Sequence, residues 1–172
     1  RDYVEAVTVA VAGWSPFGAG GWQEKTEIVT WMLEKYSSFG WPLVEGLVTQ
    51  TIGFVHPPKP LYRDWGAEKR SFVAIEHADY RHVVLGAAVR LAGFDAERWL
   101  YLLRALKRLP VQDWTASIVA FRKVADQGQW NGDQSLEACS LLRSMVNRHQ
   151  SSTDALRVWR DEQLRPLVEL FA

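Results

Sequence analysis

The segment Glu76-His77-Ala78-Asp79-Tyr80-Arg81-His82 is the one dense cluster of metal-ligand side chains in this sequence. On a helix, Asp79 and His82 stand three residues apart and their heads converge. A carboxylate-x-x-His pair at that spacing is half of a helical-bundle metal site, and Glu76 offers another oxygen one turn earlier. A metal-dependent helical-bundle enzyme is therefore one reading. Two features count against it. His77 and His82 lie about 140° apart around a helix axis and cannot share an ion. No second carboxylate-x-x-His pair exists to complete a di-metal site, and His56 and His149 are isolated. A polar helix face with His77 at the edge of the core is favoured, and no cofactor is expected. The sequence has no His-Asp dipeptide either, which a phosphohydrolase of that type requires.

A second constellation is basic. From Arg98 to Lys123 there are six basic residues against one acidic residue, Asp113. Arg104, Lys107 and Arg108 form a stripe on one predicted helix, and Arg122 and Lys123 follow on the next. Such a stripe can engage phosphates, with strong salt dependence. This gives the alternative of a small helical subunit in a nucleoprotein complex. No helix-turn-helix, zinc-finger or RNA-recognition signature accompanies the charge, and a solvated helix face is the favoured account.

The third constellation is aromatic. Nine tryptophans occur in 172 residues. Trp31, Trp99, Trp114 and Trp159 fall within helical patterns, where an indole fills a core. Trp14, Trp22, Trp41, Trp65 and Trp130 stand beside Gly, Pro or Asn. The stretch Gly13–Trp22 has four glycines and a proline, so it reads as a loop, yet it carries Trp14, Phe17 and Trp22. Aromatic rings on a glycine-rich lip suit a protein-binding surface, where Trp is a preferred anchor. Rings folded back to plug the end of a helical bundle are the competing account. Gly13–Gly18 is not followed by Lys-Ser/Thr, so no phosphate-binding loop is present. Cys139 reads as a buried structural thiol, and His56-Pro57-Pro58-Lys59-Pro60 as an extended brace between helices.

These residues need elements to position them. Residues 2–12 fit a short helix, with a strand as the competitor because of their Val and Thr content. From Trp22 to Tyr36, Ile28, Trp31, Met32 and Tyr36 recur at helical spacing. Pro42 suits a first turn, and Leu43, Leu47, Ile52 and Val55 continue that helix. The longest helix is expected from Gly66 to Ala92, with Tyr80, Val84, Ala88 and Leu91 on one face. Asp95 is placed as the cap of a helix running to about Leu109, with Trp99, Leu102, Leu103, Leu106 and Leu109 as its core stripe. Pro110 breaks the chain before a helix bearing Trp114, Ile118, Phe121 and Val124. Asp133 is expected to cap the next helix, and Ser151 with Asp154 to open a last one.

The expectation is all-α: a single compact bundle of about seven or eight helices over residues 1–172, joined by aromatic- and Pro/Gly-rich loops. The first residue is Arg rather than Met, which fits a fragment of a longer chain. Twenty basic and twenty acidic residues cancel, so no global charge draws the chain to nucleic acid or to an anionic membrane. One cysteine precludes an intrachain disulfide framework. No apolar run approaches the length of a membrane span, and the N-terminal residues lack signal-peptide character. The expected setting is the cytoplasm. The leading functional reading is a non-enzymatic assembly or regulatory subunit, binding another protein or itself through a Trp-rich surface.

Overall fold

A computed structural model of the chain describes residues 2–11, 22–35, 40–52, 74–109, 115–127 and 130–150. These form seven helices and no strand among the described residues, so the protein is all-α. The helices are α1 Asp2–Val11, α2 Trp22–Lys35, α3 Gly40–Ile52, α4 Ala74–Ala92, α5 Ala96–Leu106, α6 Thr115–Gln127 and α7 Gly132–Gln150. Their contacts fall into two compact units, residues 1–87 and 88–172, with the division inside α4.

In the first unit α1 packs on α3 and α2. Its Val- and Thr-rich sequence is helical, and the Thr8 hydroxyl is satisfied within the helix, Oγ1 donating to the Val4 carbonyl at 2.6 Å. Gly46 on α3 lets the two helices approach closely there. A Cβ at that position would lie 2.8 Å from Thr8 Cγ2. The core is built from Val29, Leu43, Val44, Leu47, Val48 and the wholly buried Tyr80. The Tyr80 hydroxyl donates to the Val11 carbonyl at 2.9 Å, which satisfies both groups away from water.

α2 differs from its sequence reading. Its buried residues are Lys25 and Val29, while Ile28 and Trp31 are 42% and 52% exposed. Ile28, Val29, Trp31, Met32 and Leu33 put apolar side chains on more than one side of this helix, so period alone picks the wrong face. The aliphatic stem of Lys25 covers apolar surface as a hydrocarbon does. Burial holds its ammonium pKa below the ordinary lysine range.

In the second unit α5 packs on α7. The expected stripe of Trp99, Leu102, Leu103, Leu106 and Leu109 is buried throughout. Asp95 caps α5 as expected: its Oδ1 accepts from Arg98 N at 3.1 Å and its carbonyl from Trp99 N at 3.1 Å. The helix ends at Leu106 rather than near Leu109, because its last turn tightens. Arg108 N bonds to Ala105 O at 3.0 Å and Leu109 N to Leu106 O at 2.9 Å, both spanning three residues. α7 is capped by Asn131, not Asp133. Gln134 N donates to Asn131 Oδ1 at 2.8 Å and Asn131 N to Gln134 Oε1 at 3.2 Å, a reciprocal box that Asp133 is placed too late to make. Cys139 is exposed rather than buried. The expected start of the longest helix at Gly66 and that of a last helix at Ser151 lie outside the described residues.

Candidate protein-binding groove

The second unit carries a groove whose shape follows from how α4 turns into α5. Gly93 closes α4 at φ +52°, a left-handed conformation open to glycine at no steric cost, and its N–H returns to the Val89 carbonyl at 3.4 Å. Two residues later Asp95 has begun capping α5. Arg98 Nη1 reaches back to the Leu91 carbonyl at 2.6 Å. The Trp99 indole N–H donates to the Gly93 carbonyl at 2.8 Å. Phe94, held between these fixed points, is 65% exposed.

Behind it three rings pack edge to face. Trp99 meets Phe121 at 5.5 Å between centroids with 61° between planes, and Phe121 meets Trp130 at 5.5 Å and 83°. Trp130 is anchored by a long bond from its indole N–H to the Val124 carbonyl at 3.4 Å. Phe121 thus fixes the inward face of α6. The helix presents a neighbouring face of Ala116, Val119, Ala120, Lys123 and Gln127 toward Val89 and Phe94. The space between is an open groove of about 500 Å³ with a mainly apolar lining. Val119 on its wall is 46% exposed. The alanines leave room for a visiting side chain, and Lys123 supplies the cation in the lining.

The sequence-predicted sites fare differently. Trp14 and Phe17 lie outside the described residues; Trp22 is the first residue of α2, with its side chain outside them. Of the basic set, Arg104, Arg108, Arg122 and Lys123 are exposed and Lys107 is half-buried. Arg104 is engaged with Glu137 on α7, its Nε and Nη2 donating to one carboxylate oxygen at 3.0 and 2.5 Å. Beside it Gln134 Nε2 donates to Glu97 Oε1 at 2.8 Å, so polar ties line the α5–α7 seam. Arg122 and Lys123 sit on α6, and Lys123 lines the groove.

Asp79 and His82 are both exposed on α4, and the Glu76 side chain lies outside the described ones. No group of three or more His, Cys, Asp or Glu side chains suited to a metal ion occurs among the described residues. No helix among them is long and apolar enough to cross a membrane.

Sequence reasoning missed the groove. One signal was available: Val119 is apolar but lies off the Ile118–Phe121–Val124 stripe. No protein-family model, curated protein or solved structure matches this chain.

Proposed function

We propose that this chain is a non-enzymatic, cytoplasmic protein-interaction module, an assembly or regulatory subunit whose partner places an apolar segment in the Phe94–Val119 groove. One observation carries this reading. A large aromatic residue, held out by a well-bonded turn, borders an open apolar groove with one cation, Lys123, among its described lining residues. Pre-formed concave apolar sites with a few polar groups are what proteins use to bind. An aromatic anchor of this kind concentrates binding energy. Lys123 selects for a partner segment with a carboxylate near its apolar residues. On sequence grounds alone, Trp14, Phe17 and Trp22 remain proposed as a further anchoring lip.

The nucleoprotein alternative has less support. Arg104 is engaged by Glu137, so the stripe does not present all of its charge to a phosphate backbone. The metal alternative rests on Glu76, Asp79 and His82 from the sequence, and among the described residues no group of three such ligands occurs.

The test uses affinity capture of the full chain from its source, comparing wild type with Phe94→Ala and Val119→Glu. A defined protein retained by wild type and lost from both variants, at unchanged helical circular dichroism, supports the reading. Equal retention by all three refutes it. Nuclease-sensitive retention that disappears in an Arg108→Glu/Arg122→Glu variant would favour the nucleoprotein alternative instead.

A further inference from the structure

We infer that the groove's occupant is a second copy of this chain, entering with the outer face of α2; this rests on the groove being a protein-binding site. At about 100° per residue, Glu24, Ile28, Trp31 and Lys35 form one column on α2, flanked by Glu27 and Glu34. All six are exposed. The buried residues of the helix, Lys25 and Val29, lie about 110° round the axis from this column. α2 therefore displays an indole and an isoleucine set among three carboxylates and one ammonium.

The groove is the counterpart in shape and sign. Its volume of about 500 Å³ accommodates an indole, and its walls are Phe94, Val119 and two alanines. Lys123 lines it and Arg122 is exposed one residue away, while Asp126 is the acidic residue exposed one turn on. A Trp31 ring seated between Phe94 and Val119 brings the α2 carboxylates toward Lys123 and gives that ammonium a ring face to lie against. The charge balance of the whole chain runs the same way. Residues 1–87 carry two more acidic than basic residues, and residues 88–172 two more basic than acidic.

The two faces differ, so the contact is heterologous. Copies join head to tail, into a ring where the rotation closes and an open string where it does not. One helix face in one groove is a small contact beside the ~1,200 Å² of a standard interface, so the association is expected to be weak and concentration-dependent.

Sedimentation velocity and native mass spectrometry of the full chain over rising concentration test this. The mass should climb from one chain upward. Trp31→Ala, which removes the knob, and Val119→Glu, which blocks the groove, should each weaken self-association tenfold or more. Mixed in equal amounts, they should form a 1:1 complex that stops at two chains, since one intact knob and one intact groove remain. Lys123→Glu on the exposed rim replaces Val119→Glu should the latter lose helix. A one-chain mass at every concentration, association that survives both substitutions, or a mixture that stays monomeric overturns the inference. A foreign partner still captured through Phe94 by a strictly monomeric chain ends self-association alone and leaves the interaction reading standing.

Discussion

Replacing Gly46 with alanine in α3 pits two effects of opposite sign against each other, and the structure decides between them. In an ordinary helix interior, Gly→Ala stabilises by up to about 1 kcal/mol, because glycine loses more backbone freedom on folding. Here the added Cβ lies 2.8 Å from Thr8 Cγ2 and 3.0 Å from Thr8 Oγ1. Ordinary carbon contacts are about 3.5–4.0 Å, so something must move by most of an ångström. Thr8 cannot swing clear. It is branched at Cβ, buried, and bonded through Oγ1 to the Val4 carbonyl, and any rotamer leaves one branch near the new methyl. Separating α1 from α3 is the remaining response, and overpacking of this kind costs about 1–3 kcal/mol. Set against the propensity gain, Gly46→Ala should destabilise by roughly 1–2 kcal/mol, read as a lower urea midpoint at unchanged slope. Thr8→Ala in the same chain removes both clashing atoms. The double variant should then show coupling of about 1 kcal/mol or more, recovering part of the loss. A Gly46→Ala protein more stable than wild type would show that α1 and α3 have slack at their crossing, and the close-approach argument would fall.

Asn131→Ala should cost about 1 kcal/mol by fraying α7's first turn, while Asp133→Ala, two residues past the cap, should change the melt by much less. Trp99→Phe keeps a ring beside Phe121 but removes the donor to the Gly93 carbonyl, leaving that acceptor short of a partner. A loss of about 1–3 kcal/mol in chemical unfolding is expected. For Lys25 the sign follows from its lowered pKa. The folded chain gives up this proton at a lower pH than the unfolded chain. Between that folded value and the ordinary value of about 10.4, the unfolded state binds more protons, so stability rises with pH. The slope is at most about 1.4 kcal/mol per pH unit. Urea titrations across that alkaline window should show the rise in wild type and a flatter profile in Lys25→Met; parallel profiles would mean Lys25 titrates alike in both states.

Much of the helical order is legible in the sequence where one signal acts alone. Asp95 is the one capping-type residue immediately before the Trp99–Leu109 stripe, and α5 starts where it indicates. The stripe from Trp99 to Leu109 buries as its spacing requires, although the helix itself stops at Leu106. Competing signals mislead. Asn131 and Asp133 are both good capping types, and the choice depends on Gln134 standing three residues after Asn131, a pairing visible in the sequence. On α2 the apolar residues span more than one face, and the buried side contains a lysine. Charge patterning therefore points the wrong way until the neighbouring helices are in place. The groove is harder still, since it is made by a backbone turn and a second helix together. No single segment encodes it, and Phe94, between a glycine and a capping aspartate, looks like any loop residue.

The joint between α4 and α5 is over-determined. The left-handed Gly93, the Asp95 cap, the Arg98 reach to Leu91 and the Trp99 bond to Gly93 each hold it, and none of them uses the side chain of Phe94. Position 94 is therefore decoupled from folding. A mutation there alters what the groove meets first and leaves the scaffold intact, which separates two properties that usually trade against each other. Such a site can drift through aromatic, aliphatic and charged residues under selection for partner choice alone, and it is the natural place to begin redirecting this protein toward a new ligand.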